Sequence, residues 1–198
     1  MGKHKLAVFA SGTGSNFDAI AEQIEAGRLD GKIGLLVCDQ PGAKVIDKAT
    51  VRNIPVFAFQ PKEFPAKAAF EQAILKELQE KHIDWIILAG YMRLVGPTLL
   101  APFEGRIINI HPSLLPAFPG KDAIGQAIEA GVKVTGVTIH FVDEGMDTGA
   151  IIEQEAIRVK EEEDRASLQK RVQAIEHNLF PKTIQRLLMA VNREEIKS

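Results

Sequence analysis

The sequence predicts an α/β protein with a doubly wound, mainly parallel sheet of about seven strands and an antiparallel strand near the C-terminal end. Short apolar runs rich in Val, Ile, Leu or Phe alternate with longer amphipathic stretches, which is typical of strand–helix–strand units with right-handed crossovers. After residue 120 this pattern gives way to two long strand-like stretches joined by "DEGMDTG". A connection this short allows an antiparallel hairpin, so we expect a mixed sheet at that end.

The predicted strands are apolar and bounded by Gly, Pro or polar turns, as buried strands usually are. They cover residues 5–10, 32–38, 54–59, 84–90, 106–110, 132–142 and 150–159. Helical patterns, with apolar residues three and four apart, lie between them. They cover residues 16–26, 65–82 and 96–103, and a last helix that starts near Asp164 and is interrupted or restarted at Pro181. No repeat or low-complexity linker divides the chain, so we expect one domain over residues 1–198.

Composition and charge indicate the kind of ligand. Of the 198 residues, 45% are hydrophobic and 25% are charged, the usage of an ordinary globular protein. The formal net charge of -2 argues against nucleic acid and acidic membrane surfaces as ligands, because proteins that bind them usually carry an excess of Lys and Arg. Small molecules are therefore the expected ligands, and exposed helix faces could support a weak homodimer.

Cysteine and histidine usage argues against disulfides and metals. Cys38 is the single cysteine, and five scattered histidines lack the close spacing of a zinc site. We expect no metal. The first apolar run is about five residues long, too short for a signal peptide or a membrane span, so we expect a cytoplasmic protein.

The loop "SGTGSN", residues 11–16, follows the first predicted strand and opens the first helix. Gly12 and Gly14 can adopt positive φ, and the N–H groups of Gly14, Ser15 and Asn16 could then converge on an anion at the helix N-terminus. Ser15 or Asn16 could also cap the helix. The loop predicts a phosphate site, and the alternative is a glycine turn without a ligand.

The same loop is incomplete as a dinucleotide fingerprint. That pattern needs a third glycine where this chain has Phe17, although Asp39 stands after the second strand where a ribose-binding acid would lie. Nicotinamide binding by an oxidoreductase is weakened but stays open, and a ligand-binding module without turnover is a further alternative. The Walker pattern is absent because no GK[ST] occurs.

The stretch "IINIHPSLLPAFPG", residues 107–120, carries the strongest catalytic signal. Asn109 and His111 are two residues apart at the end of a predicted strand, so their side chains project to one side. Ligands bind at the carboxyl ends of strands in such sheets. Three prolines follow and stiffen the loop, namely Pro112, Pro116 and Pro119.

This pair suits acyl or formyl transfer to an amine. The Asn109 amide and a protonated His111 could both donate hydrogen bonds to the oxygen that becomes negative as a carbonyl carbon turns tetrahedral. A cationic imidazole needs a nearby carboxylate, and Asp143, Glu144 and Asp147 are all candidates by spacing. The other histidines are expected to be structural, solvated or capping, and they are His4, His82, His140 and His177.

Four motifs in register resemble the phosphoribosylglycinamide formyltransferase family, folate-dependent enzymes of purine biosynthesis. They are "SGTGSN", "LAGYMRLV" at 88–95, "NIHPSLLPAFPG" at 109–120 and "HFVDEGMDTG" at 140–149. The resemblance covers almost the whole chain. It implies a phosphate site for the ribonucleotide in the N-terminal half and a folate site in the C-terminal half.

The resemblance also implies roles for individual residues. Asn109 and His111 match the catalytic pair, and Asp147 matches the aspartate that raises the pKa of that histidine. The implied ribonucleotide-binding residues are Gly14, Ser15, Asn16, Gln173 and Glu176. The implied folate-binding residues are Lys67, Met92, Arg93, Leu94, Val95, Asn109, Val142, Asp143 and Glu144.

The implied reaction needs no covalent enzyme intermediate. The free amine of 5-phosphoribosylglycinamide would attack the formyl carbon of the co-substrate 10-formyltetrahydrofolate, and a proton would pass to the departing folate nitrogen, through water near Asp147.

Overall fold

A computed structural model describes residues 4–195, with side chains described as far as residue 191, so the two ends of the predicted 1–198 domain lie outside the described residues. One seven-stranded sheet runs through the described chain in the order β3-β2-β1-β4-β5-β6-β7. The strands are β1 (His4–Phe9), β2 (Gly31–Cys38), β3 (Val56–Ala58), β4 (Trp85–Leu88), β5 (Ile107–His111), β6 (Val134–Phe141) and β7 (Ile151–Arg158).

Strand directions confirm the predicted mixed sheet. Every pairing among β1 to β5 is parallel, whereas β6 is antiparallel to both β5 and β7. The predicted strands and the observed ones agree within two residues at each end. The α/β fold class, with its antiparallel strand near the C-terminal end, is confirmed.

The helices include two that the sequence did not indicate. The α-helices are α1 (Ser15–Glu25), α2 (Lys44–Val51), α3 (Lys67–Glu80), α4 (Pro97–Leu100), α5 (Ala123–Glu129) and α6 (Arg165–Glu195). A 3₁₀ turn lies at Pro61–Glu63. Helices α2 and α5 were missed because eight and seven residues are too few to show a clear helical period.

Alternating residues of the central strands serve two hydrophobic cores. Leu6 and Val8 of β1 pack in the core formed with α1, α2, α5 and α6, whereas Ala7 and Phe9 point into the core formed with α3 and α4. Each of these four residues is at most 1% exposed. The strands are buried on both faces because parallel sheets are covered by their crossover helices.

Helix α6 continues through Pro181, so the predicted interruption there is wrong. Proline removes one helical hydrogen bond and disfavours the preceding turn, at a cost of about 3 kcal/mol. Burial on both sides of Pro181 offsets that cost, since Phe180 and Ile184 are at most 1% exposed in the main core. None of the described helices is both long enough and apolar enough to cross a membrane.

The second core stops at β5, and this creates a polar face. Ile107 is its last strand residue, and it contains no buried residue of β6 or β7. Ile108 and Ile110 point into the other core, so Asn109 and His111 lie on the same face as Ile107, beyond the cover of α3 and α4. Loops cover the sheet there instead of helices.

Candidate active site

Asp147 lies at the centre of a polar cluster over β5. Its Oδ1 accepts a hydrogen bond from Asn109 Nδ2 at 3.4 Å and lies 3.6 Å from His140 Nε2. Its Oδ2 accepts one from the Gly120 N–H at 2.7 Å and lies 3.4 Å from His111 Nδ1. Asp147 adopts φ 58°, a left-handed conformation that Asp tolerates better than most residues. One carboxylate thus contacts three side chains and a backbone amide.

The surroundings keep Asp147 ionised. Burial raises the pKa of its carboxyl, but the hydrogen bonds from His140 and the Gly120 N–H, with the charge of His111, outweigh burial and leave the pKa below its ordinary value. A carboxylate at this point can stabilise positive charge on either neighbouring imidazole.

Both ring nitrogens of His111 face oxygen atoms. Nε2 lies 2.8 Å from the backbone oxygen of Phe118, which can only accept, so Nε2 carries a hydrogen. Nδ1 faces Asp147, so a protonated ring satisfies both contacts. His111 is 5% exposed and lies beneath the 113–119 segment.

Residue spacing alone left three carboxylates as possible partners of His111, and in the structure Asp147 is the one in contact with it. Asp143 instead accepts hydrogen bonds inside its own loop, from the Gly145 N–H at 3.0 Å and from Thr148 Oγ1 at 2.7 Å. Glu144 is exposed.

His140 belongs to this cluster, although the sequence suggested a purely structural residue. In the antiparallel β5–β6 register it stands opposite Asn109, and its Nε2 lies 3.1 Å from Asn109 Nδ2. Its Nδ1 lies 2.7 Å from the backbone oxygen of Phe141, so Nδ1 carries a hydrogen. Nε2 then accepts from Asn109 when the ring is neutral and donates to Asp147 when the ring is protonated. Only the strand register reveals this contact, because 31 residues separate the two.

Hydrogen bonds, in addition to the prolines, fix the segment over His111. Thr138 is fully buried; its Oγ1 donates to the Ser113 backbone oxygen at 2.7 Å and accepts from the Leu115 N–H at 3.0 Å. Gln154 Nε2 donates to the Leu115 backbone oxygen at 3.0 Å. Side chains of β6 and β7 therefore hold the loop that follows β5.

The glycine loop forms the entry to α1. Gly14 is the N-cap residue with φ 72°, and a Cβ there would lie 2.5 Å from Val45 Cγ2, so glycine is required by conformation and by space. Gly12 does not adopt positive φ. No side chain caps the helix, so the predicted cap by Ser15 or Asn16 is wrong.

Asn16 instead turns inward to α6. Its Nδ2 donates to Glu176 Oε2 at 3.0 Å, and both residues are buried, whereas Asn16 Oδ1 has no partner among the described residues. Burial raises the pKa of Glu176 to about 7, although the Asn16 hydrogen bond opposes the rise. Gln173, one turn earlier on α6, is half-buried.

The segment after β4 exposes apolar side chains. Met92 and Leu94 are 63% and 48% exposed, while Val95 is buried in the second core. The Gly96 N–H donates to the buried Glu71 at 2.7 Å, and Glu71 lies 3.7 Å from Lys67 Nζ. Lys67 of α3 is thereby held beside this segment.

The Asp39 carboxylate is already hydrogen-bonded within the protein and is not available to bind a ribose. Its carboxylate accepts hydrogen bonds from Ser11 Oγ at 2.5 Å and from Arg93 Nε at 2.7 Å. Together with the missing third glycine at Phe17, these contacts argue against the dinucleotide alternative. Within residues 4–191, no cluster of three or more His, Cys, Asp or Glu side chains is arranged to hold a metal ion.

This fold is that of a formyl transferase. The family model described as "Formyl transferase" matches residues 4–184, so the chain belongs to that family of enzymes.

Within this family, the chain is similar over nearly its full length to phosphoribosylglycinamide formyltransferases. The chain is 55% identical to the phosphoribosylglycinamide formyltransferase of Bacillus subtilis (strain 168), over 96% of this chain and 98% of that protein. The crystal structure of glycinamide ribonucleotide transformylase 1 from Geobacillus kaustophilus matches with 57% identity and a TM-score of 0.92, over 94% of this chain and 99% of that one. The corresponding Symbiobacterium toebii structure matches with 39% identity and a TM-score of 0.93, over 95% of this chain and 89% of that one.

Proposed function

We propose that this protein transfers a formyl group from 10-formyltetrahydrofolate to the amine of 5-phosphoribosylglycinamide, in the cytoplasmic synthesis of purines. The observation that carries the proposal is the cluster of Asn109, His111 and Asp147, in a chain that matches phosphoribosylglycinamide formyltransferases over nearly its full length. Full-length identity of this level is good support for a shared substrate pair.

The ribonucleotide would lie at the start of α1 and beside α6. The first helical hydrogen bond runs from the Asp18 N–H to the Gly14 backbone oxygen, so the N–H groups of Ser15 and Asn16 precede the helical ladder. Such groups, with the positive end of the helix dipole, suit a phosphate. Glu176 and Gln173 would meet the ribose and glycinamide parts.

The folate would lie against the segment after β4 and the loop after β6. Exposed apolar side chains are costly in water, and Met92, Leu94 and Met146 lie in these two segments at 63%, 48% and 51% exposed. A pterin-like ring could cover them while backbone groups of 92–95 and 142–144 bind its polar edge. Arg93 and Lys67 would face the anionic glutamate tail.

In the proposed reaction the neutral glycinamide amine attacks the formyl carbon. The carbonyl oxygen becomes negative and is stabilised by the Asn109 amide and by His111, whose charge Asp147 supports. The bond from the formyl carbon to the folate nitrogen then breaks, and the proton lost by the amine ends on that nitrogen. In the structure His111 Nε2–H donates to Phe118, and the two Nδ2 hydrogens of Asn109 face Asp147 and His140. The Phe118 contact and one of the Asn109 contacts must therefore open before these donors can bind the oxyanion.

The test is formyl transfer measured by absorbance for wild type and His111→Ala. Loss of an oxyanion donor lowers kcat roughly 100 to 1000-fold, so we expect at least a 100-fold decrease. Glu153→Gln, on the surface of β7, is the matched control and should transfer at the wild-type rate. An unchanged rate in His111→Ala would remove this residue from the mechanism, and enhanced NADH fluorescence on adding the protein would instead favour the oxidoreductase alternative.

A further inference from the structure

We propose that Asp39 is a positioning residue that holds the ribonucleotide loop and the folate segment in one geometry, through Ser11 and Arg93. The inference rests on the proposed function, because it takes residues 14–16 and 92–95 as the two binding segments. Asp39 has no part in the catalytic cluster, yet it follows β2 at the sheet edge where both segments begin.

The contacts form a continuous link between the two segments. Ser11 Oγ donates to Asp39 Oδ1 at 2.5 Å and accepts from the Met92 N–H at 3.0 Å. The Ser11 N–H donates to the Gly90 backbone oxygen at 3.1 Å. Arg93 Nε donates to Asp39 Oδ2 at 2.7 Å. A single carboxylate thus fixes the chain on both sides, through hydrogen bonds that its charge strengthens.

Arg93 is oriented by this contact and keeps groups for a ligand. Only Nε bonds to Asp39, and the terminal nitrogens of Arg93 have no hydrogen-bond partner within residues 4–191. Its guanidinium carbon lies 5.9 Å from the centre of the Phe70 ring, so the side chain is held from a second side. A guanidinium fixed in advance loses less freedom when it binds a carboxylate.

Burial distinguishes Asp39 from an ordinary surface ion pair. The Asp39 side chain is 1% exposed, whereas that of Arg93 is 37% exposed. Burying the Asp39 carboxylate costs desolvation free energy, whereas the more exposed Arg93 guanidinium would stay hydrated if Asp39 were absent. Tyr91 immediately precedes Met92 and packs edge-on against Phe9, the last residue of β1, with ring centres 5.2 Å apart. The arrangement places a buried charge where it can orient binding groups.

The experiment compares Asp39→Asn, Arg93→Ala and the double variant. Asparagine keeps the shape but has one acceptor oxygen, so it can serve Ser11 or Arg93 but not both. We expect Asp39→Asn to raise the KM for the folate donor about tenfold and the KM for the ribonucleotide about threefold, with kcat changed less than threefold. Arg93→Ala should raise only the folate KM, and the double variant should match Asp39→Asn within about twofold, because the two act as one unit.

The control is Asp84→Asn, which also replaces an aspartate by asparagine. Asp84 precedes β4, at the edge of the sheet opposite to Asp39, and accepts a hydrogen bond from the Lys5 N–H at 2.7 Å. Its KM values should stay at the wild-type level, and Tm is measured for every variant. Wild-type KM values in Asp39→Asn, multiplicative effects in the double variant, or a fall in kcat that follows Tm would each overturn the proposal.

Failure of the proposed function would be visible separately, as absence of formyl transfer by the wild type. In that case calorimetric binding of tetrahydrofolate to wild type and Asp39→Asn decides the positioning role, because it needs no turnover. A tenfold weaker binding to Asp39→Asn would support the role, and equal binding would overturn it.

Discussion

Asp147 and Glu176 are both carboxylic acids largely withdrawn from water, but their pKa values move in opposite directions. Asp147 contacts two imidazoles and a backbone N–H, and its pKa falls below the ordinary value despite burial. Glu176 has one neutral donor, Asn16, and its pKa rises to about 7. The neighbouring groups, rather than the depth of burial, decide the charge of each carboxyl: Asp147, beside Asn109 and His111, is kept ionised, whereas Glu176, between α1 and α6, holds its proton up to about pH 7.

Removing the charge of Asp147 should have the largest effect. In Asp147→Asn the imidazoles lose their counter-ion, so a protonated His111 is no longer favoured beside the oxyanion. We expect kcat to fall roughly 100 to 1000-fold with a much smaller change in KM, measured by formyl transfer at saturating substrates. A rate within threefold of wild type would show that the charge is not needed.

The lowered pKa of Asp147 also predicts how the stability of the fold changes with pH. A carboxyl with a depressed pKa in the folded state stabilises the fold above its unfolded pKa, and this stabilisation is lost as pH falls through the folded value. Asp147→Asn should therefore remove part of the acid-induced loss of stability, measured by urea unfolding below pH 5 against Glu153→Gln.

Glu176→Gln should change stability with the opposite pH dependence. The pKa of Glu176 rises from 4.5 to about 7, so the native state holds a proton that the unfolded state releases, and the wild type loses stability as pH rises from about 4.5 to 7. Glutamine stays neutral, so the variant should gain on the order of 3 kcal/mol relative to wild type between pH 5 and pH 8. Urea unfolding at both pH values measures this difference, and equal behaviour of the two proteins would contradict the raised pKa.

Substituting His140 should give the smallest effect and test its contact with Asn109. His140→Phe keeps a ring but loses the acceptor at Nε2, and a neutral hydrogen bond contributes about 0.5–1.5 kcal/mol, so kcat should fall by up to about tenfold. His140→Gln restores an acceptor and should recover most of that loss. Equal rates for His140→Phe and wild type would return His140 to a purely structural role.

Much of the fold was predictable because its signals are local. Apolar runs such as "KLAVFA" are buried whichever strand lies beside them, and Gly14 marks the loop before α1 because few other residues adopt its conformation in that space. Local signals failed where packing overrides them. Helix α6 passes Pro181 because Phe180 and Ile184 are anchored in the core, a condition that no local pattern reveals.

The site was only partly predictable for the same reason. Asn109 and His111 share a face by strand periodicity, so their pairing followed from the residues alone. The partner of His111 did not, because Asp143, Glu144 and Asp147 lie within five residues of one another and spacing cannot rank them. His140 was expected to be structural, and the contacts of Asp39 with Ser11 and Arg93 were not anticipated, since both residues are defined by contacts between distant segments.

The sequence by itself determined the alternation of strands and helices, the glycine turn before α1 and the two polar residues at the end of β5, because each depends on neighbours along the chain. Residue spacing left the partner of His111 open, and the contact with Asp147 that the family resemblance implied is seen in the tertiary structure. Only the tertiary structure decided that His140 stands opposite Asn109 and that Asp39 joins Ser11 to Arg93. These contacts depend on strand register and loop closure, and both are set by the packing of the whole sheet.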